Sequence, residues 1–421
     1  MYVGTMIKME RLKQKMKLDS LSKGICSVSH LSRIENGKSE PSEEILTLLS
    51  DRLGMFFKAE RKIKRVNVVE FEEHCSRIIN LRDREGAARF IEELSELLAA
   101  SSFDMQTRIG LDLMVLRLRL VITGQEKEVL GELATYQEMI LALSPLQSFS
   151  VFQMLGMALY AKGDLQGCLD AFTNANSTIE HLSLSPFERA DFKYVYSVAS
   201  MAAGRKYEAL EKAKQALSYF QSVMAGQRVV ECHLICGVSY KKSGQLTKAL
   251  EVFQLGEQIC RQFDLHPLLG IVHQNMGDVY SVMGETEHAI ANFKEAIKQK
   301  EGPLELMYSI FSLVKEYEKL RKYETALHWL SMSKRLLPKL SERKREYYRT
   351  HFDVYYALCQ EEEGIEEEAF RNAVRIFRRR GNQREWKDYA KRLAKLHAGK
   401  GSYKKAVFYY DMIIGGEGEM G

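Results

Sequence analysis

The stretch that decides the reading is Leu18-Asp-Ser-Leu-Ser-Lys-Gly-Ile-Cys-Ser-Val-Ser-His-Leu-Ser-Arg-Ile-Glu-Asn-Gly-Lys-Ser-Glu-Pro41. It spells two short helices with a tight turn between them. Leu18 and Leu21 share one face of the first, and Gly24 can take the positive φ of a helix exit. Ser27 is the N-cap of the second helix, which turns Leu31 and Ile34 inward and Ser29, His30 and Arg33 outward. Asn36-Gly37 suits a left-handed exit, and Ser42 opens a further helix carrying Ile45, Leu46, Leu48, Leu49 and Leu53 as far as Gly54. Upstream, Thr5 to about Lys17 reads as a first helix, apolar at Met6, Met9, Leu12 and Met16.

This run of four helices resembles the lambda-repressor-type (XRE) helix-turn-helix, whose second motif helix enters the major groove of DNA. The resemblance rests on Ser32-Arg33-Ile34-Glu35-Asn36-Gly37-Lys38, on Pro41, and on Ile7, Arg11 and Leu12. It implies that Glu35 pairs with Arg11 to brace the fold. It also makes Ser27, Ser29, His30, Ser32, Arg33 and Lys38 the residues that meet DNA. Where the family places a phosphate-contacting Gln at the start of helix 2, this chain has Leu18.

Charge supports a polyanion at this end. Residues 1–65 hold 14 Lys and Arg against 8 Asp and Glu, while residues 66–421 hold 47 against 48. The net +5 of the whole chain therefore belongs to the segment with the motif, where it would neutralise phosphates. Of the 421 residues, 45% are apolar and only 6 are proline, which suits long helices in two or three units. No run of about 18 apolar residues marks a membrane span. An N-terminus without a hydrophobic signal core and an odd count of 7 cysteines predict reduced thiols and a cytoplasmic setting.

Beyond residue 65 the chain repeats itself. Leu155-Gly156, Leu159, Gly163, Cys168, Phe172 and Ala175 set a frame. It returns as Cys236-Gly237, Tyr240, Gly244, Ala249 and Phe253, and again as Met276-Gly277, Tyr280, Gly284, Ala289 and Phe293. Looser copies put turns at 124, 163, 204, 244, 284, 321, 364 and 401, spaced 37 to 43 residues apart. The pattern resembles the tetratricopeptide repeat, with helices longer by about a turn. Small residues mark the approach of helices A and B in one hairpin, and the large Tyr240, Tyr280, Phe253 and Phe293 are expected to plug the gap between neighbouring hairpins. Residues 66–110 form a first, poorly matching hairpin.

The fold class is thus all-α: a lambda-repressor-like helix-turn-helix followed by a tetratricopeptide-repeat right-handed superhelix. The domains fall at 1–65, with a basic linker at its end, at 66–414 for peptide sensing and dimerisation, and at 415–421 for a flexible tail.

No catalytic constellation, phosphate loop or cofactor motif stands out. Cys232-His233-x-x-Cys236 puts two thiols one helical turn apart, but Cys236 is a repeat core position and a second ligand pair is missing. The acidic run 361–368 and the basic run 371–392 read as solvated helix faces. The groove lined by helices A is the candidate site. Asn275, Gln274 and Asp278 face it from the clearest repeat, and an Asn amide can both donate to and accept from an extended peptide backbone. Glu231, Lys241, Tyr194, Gln153, Tyr308 and Lys315 occupy neighbouring helix A positions, with Arg117 and Arg119 near one end.

The combination resembles the peptide-pheromone-responsive regulators of Gram-positive bacteria, nearest the neutral-protease regulators of bacilli. It implies an activator of extracellular protease genes that binds a double-stranded operator as a homodimer or tetramer and answers to a short re-imported peptide. A second implied activity is sequestration or dephosphorylation of a response regulator of the sporulation phosphorelay.

Overall fold

A computed structural model describes residues 2–54, 66–100, 103–360 and 364–415. Among them every regular element is a helix. The first four are α1 (Tyr2–Lys13), α2 (Leu18–Ser22), α3 (Val28–Glu35) and α4 (Glu43–Leu53). There follow α5 (Val68–Leu81), α6 (Arg84–Ala100), α7 (Met105–Leu118) and α8 (Glu126–Glu138), with a π-helical turn at Arg119–Thr123. Two hairpins come next, α9 (Pro145–Lys162) with α10 (Leu165–Thr178) and α11 (Pro186–Ala202) with α12 (Lys206–Ser222), followed by α13 (Gly226–Lys242) and α14 (Leu246–Gln262). Then come α15 (His266–Met283), α16 (Thr286–Lys298), α17 (Pro303–Lys319) and α18 (Tyr323–Leu336). The last four are α19 (Glu342–Gln360), α20 (Ile365–Arg379), α21 (Gln383–Gly399) and α22 (Tyr403–Gly415). The chain divides into two compact units, Met1–Ser239 and Tyr240–Gly421.

The helix-turn-helix forms where its caps place it. Ser27 Oγ accepts from His30 N at 3.1 Å, Ser42 Oγ accepts from Ile45 N at 3.3 Å, and Gly54 closes α4 in the left-handed region. Ile7, Leu21, Leu31, Ile34, Leu49 and Leu53 form the small core. α1 crosses α3 so closely that a Cβ on Gly4 would lie 1.8 Å from the Ile34 carbonyl oxygen. α1 stops earlier than its apolar pattern predicts, because the chain turns through a left-handed Lys15 and Arg11 Nη1 donates to the Met16 carbonyl at 2.9 Å. The basic linker at 58–65 and the tail beyond 415 lie outside the described residues.

α1 has a second apolar face. Met9 is buried with Met105, Ile109, Leu113, Leu133 and Tyr136 of α7 and α8, and Met6 and Leu12 pack on the same cluster. Lys13 Nζ sits 2.7 Å from Asp112 Oδ2, and Lys8 Nζ donates to the Glu138 carbonyl at 3.5 Å. The helix-turn-helix is therefore packed onto the first repeats of its own unit.

Every turn expected from the spacing has a left-handed residue: Gly124, Gly163, Gly204, Gly244, Gly284, Arg321, Gly364 and Gly401. Helices of 17 or 18 residues (α9, α11 to α15 and α17) account for a repeat longer than the usual 34. Some of the large residues also act inside their own hairpins, which the expectation did not include. The Phe172 ring covers Gly156, and the Phe293 ring covers Gly277, within one hairpin; a Cβ on either glycine would meet the ring at 2.5 Å. Phe293 still reaches the following hairpin through a cluster shared with Leu313 and Tyr317. Tyr280 stacks on His288 of its own hairpin at 5.1 Å. Glycine on helix A thus makes a slot for an aromatic ring from helix B, and the hairpin closes like a latch.

Candidate functional site

α3 presents one continuous polar face. Ser29, Arg33 and Lys38 are exposed, as is the cap Ser27, and His30 is half-buried with its Nε2 3.4 Å from Ser39 Oγ. Ser32 is half-buried, and its carbonyl accepts from Asn36 Nδ2 at 2.8 Å. Behind this face Glu35 takes Arg11 Nε at 2.7 Å and Nη2 at 2.8 Å, a bidentate pair in a buried setting. Planar pairing of this kind fixes orientation as well as distance, so α3 is held at a set angle to α1. Arg52 adds a strut from α4, donating to the Leu21 carbonyl at 3.0 Å and to that of Lys23. The groups facing outward are donors or small hydroxyls, the chemistry that phosphate oxygens and base edges accept.

On the repeats of the first unit, Arg117, Tyr194 and Glu231 come together, and the structure adds partners that the sequence did not disclose. Arg117 Nη2 reaches Asp191 Oδ2 at 3.0 Å, and Asp191 Oδ1 takes Arg228 Nη2 at 2.5 Å. Arg228 Nη1 lies 3.1 Å from Glu231 Oε2, which also lies 3.3 Å from Arg82, the residue that ends α5. The guanidinium of Arg228 stacks 4.2 Å from the Tyr194 ring centroid. This alternating chain joins α5, α7, α11 and α13. Asp191 and Arg228 are buried, and pairing offsets their desolvation.

α5 belongs to the same site. Its Glu72 and Cys75 share a cavity of about 270 Å³ with Arg117, Gln147, Met154 and Glu188. Burial, with the nearby Glu188 charge adding to it, raises the Glu72 carboxyl above its ordinary range. Burial pushes the Cys75 thiol up to about 11. Gln153 is buried on α9. Arg119 turns away from this group, with Nε 2.8 Å from Gln125 Oε1 and Nη1 2.7 Å from Glu132 Oε1 of α8.

In the second unit, Asp278 gathers Lys241 Nζ at 3.3 Å, Tyr308 OH at 3.2 Å and Gln274 Nε2 at 3.4 Å. Gln274 is buried and braces α15 against α17. Its Nε2 also donates to Ser312 at 3.3 Å, and its Oε1 accepts from Lys300 at 3.2 Å and from Ser309. Burial lowers Lys300 to about 8. Asn275 is half-buried, and its Nδ2 donates to the Ile271 carbonyl at 2.9 Å. Lys315 lies over the Phe311 ring at 4.8 Å, and burial lowers its pKa. Cys232 and Cys236 are buried core thiols, both pushed up by burial, the latter to about 11.

A helix-turn-helix family matches residues 7–55, and a tetratricopeptide repeat family matches residues 272–302. The chain is 27% identical over 410 residues to the transcriptional activator NprA of Geobacillus stearothermophilus, covering 93% of this chain and 97% of that one. Among solved structures, the apo form of the quorum sensor NprR from B. thuringiensis superposes with a TM-score of 0.72 at 19% identity, covering 83% of this chain and 99% of that one. NprR in complex with its cognate peptide NprX gives a TM-score of 0.57 at 17% identity over 83% and 98%. A helix-turn-helix followed by a tetratricopeptide-like array in one all-helical chain is the arrangement of the peptide-responsive regulators that the sequence resembles.

Proposed function

We infer that the chain is a transcriptional activator that reads operator DNA through α3 and is controlled by a short signalling peptide held on the helix A face of its repeats. One observation carries this reading: Ser29, His30 and Arg33 project from a helix whose angle is locked by the buried Arg11–Glu35 pair. Similarity along almost the whole chain to a transcriptional activator supports it. Its targets are genes for extracellular neutral proteases. Arg33 and His30 address base edges, while Ser27, Ser29, Ser32 and Lys38 address the sugar-phosphate backbone.

On the sensing side, Asn275, the Lys241–Asp278 pair and Tyr308 offer alternating donors and acceptors to an extended backbone. Gln274 serves as the brace that fixes them. In the first unit, Arg117, Tyr194 and Glu231, joined through Asp191 and Arg228, are further candidates for peptide contact, with the buried Gln153. The test is a footprint of the full chain on duplex DNA from a protease promoter at physiological salt. Protection of paired half-sites is the expected result, and binding no tighter than to unrelated duplex would overturn the reading.

A further inference from the structure

α5 carries two stripes. Phe71 and His74 face α6, where both rings meet Phe90, at 6.0 and 4.5 Å between centroids. The other stripe, Val68, Glu72, Cys75, Ile79 and Arg82, recurs at alternating steps of four and three residues, the spacing of one helix face. Val68, Glu72 and Cys75 line the cavity of about 270 Å³ with Arg117 and Glu188, and Arg82 reaches Glu231. Arg117, Glu188 and Glu231 stand on α7, α11 and α13, all of them helices A. α5 therefore lies on the face that lines the groove of the first unit.

The contact is loosely made. It leaves the cavity beside α7, and one buried polar atom on each helix, Asn80 Oδ1 and Arg117 Nε, has no hydrogen-bond partner among the described residues. Stable helix contacts pack densely and satisfy their buried polar groups. A contact that does neither belongs to the low-stability end of local opening. One ion pair holds the far end of α5, with Arg82 Nη2 3.3 Å from Glu231 Oε2 and the arginine 36% exposed. Arg82 has φ 55°, where glycine is the strain-free residue, so a side chain is kept there at a conformational cost. Its partner is also held by Arg228 Nη1 at 3.1 Å, so Arg82 can leave without stranding the Glu231 carboxylate.

We propose that α5 is a strap occupying the groove of the first unit, latched by Arg82 on Glu231, which lifts to admit an extended peptide to Arg117, Tyr194 and Glu231; this regulatory role rests on the groove being the peptide site. A groove ligand then binds in proportion to the lifted fraction, and the latch sets the concentration at which that ligand is sensed.

Site-resolved labelling of the full chain with N-ethylmaleimide tests the latch. Cys75 lies on the strap, while Cys168 of α10, buried in another core, reports general loosening. Arg82→Glu sets two carboxylates against each other and raises the labelling rate of Cys75 by about fivefold, with Cys168 unchanged. Arg82→Lys keeps the charge and labels at close to the wild-type rate. A fluorescein-labelled peptide of residues 66–83, supplied in trans to the full chain, tests occupancy. It binds Arg82→Glu about fivefold more tightly than the wild type, whose own α5 stands in its place, and adding Glu231→Gln cancels the gain. Neither measurement uses a signalling peptide, so both fail separately from the peptide reading of the groove. Unchanged labelling of Cys75 in Arg82→Glu, or an equal acceleration at Cys168, overturns the strap. A trans peptide that binds wild type and variant alike overturns its place in the groove.

Discussion

Asp112 of α7 takes two donors at once, Lys13 Nζ at 2.7 Å from the end of α1 and the Tyr136 hydroxyl at 3.1 Å from α8. One carboxylate thereby ties the helix-turn-helix to the pair formed by α7 and α8. The lysine is about a third exposed, so the ion pair itself contributes below about 1 kcal/mol. Lys13→Ala is accordingly expected to leave global stability almost unchanged while speeding amide hydrogen exchange in α1. Exchange at the wild-type rate would show that Met6, Met9 and Leu12 alone hold the helix in place.

Glu35 is the more costly residue to lose. Glu35→Ala leaves the buried Arg11 guanidinium without its carboxylate, for which about 3–5 kcal/mol of local destabilisation is expected. The loss should appear as reduced hydrogen-exchange protection in α1 and α3 and as weakened operator binding. Full protection in that variant would remove the pair from its bracing role.

Arg33 is exposed and takes no part in the small core. Arg33→Ala should weaken binding to the specific operator by about 1–3 kcal/mol and relax its sequence preference, with thermal unfolding unaltered. Equal affinity and an equal footprint for the variant would take Arg33 out of the contact set.

His351 gives an acid-sensitive stability. It is buried with Nδ1 2.5 Å from the Tyr389 hydroxyl, and burial, aided by the Lys315 and Arg392 charges, lowers it to about 3. Between its unfolded pKa near 6.5 and about 3, the unfolded chain binds a proton that the folded chain does not. Its contribution to stability is therefore intact above about pH 6.5 and declines as the pH falls toward 3, by about 1–2 kcal/mol at pH 5. Denaturant unfolding of the wild type and of His351→Phe at pH 7 and pH 5 checks this. The variant should lose less on acidification, and an identical loss in both would assign the acid sensitivity elsewhere.

Linkage requires reciprocity between the two proposed ligands. If peptide changes operator affinity by some factor, operator must change peptide affinity by the same factor. Titrating peptide with and without operator measures this directly, and equal peptide affinities in the two titrations would exclude coupling. Asn275→Ala should weaken peptide binding without touching DNA binding by the uncoupled head.

Turns were the most legible part of the fold, because a hairpin that reverses through a left-handed residue selects glycine and so leaves a mark. Even Arg321, which is not glycine, was located by spacing alone. The Arg11–Glu35 pair was legible through family resemblance, since both residues lie within one short motif. The chain Arg117–Asp191–Arg228–Glu231–Arg82 was only half visible. Periodicity says which face a charge occupies but not which partner it meets, and Arg82 meets Glu231 across 149 residues of sequence. Gln274 was expected to face the groove but is buried between α15 and α17, and nothing in its spacing reveals that Lys300, Ser309 and Ser312 take up its amide. Phe293 was only half read for a related reason: it reaches Leu313 and Tyr317 of the next hairpin as expected, but its cover over Gly277 was not, since a small residue and a large one in register do not say whether they meet inside a hairpin or across two.

Ile7 and Met9 are two residues apart on α1, about 200° around the helix, and they are buried in different cores, one with Leu31 and Ile34 and the other with Ile109 and Leu133. Inserting one residue between them would turn everything beyond it by about 100°, and neither core could accept the result. Length variation in this helix is thus forbidden from both sides at once. A chimera that exchanges DNA-reading heads between such proteins has to cut after α1, keeping the helix with the repeats it seals, or carry over its whole face with the head.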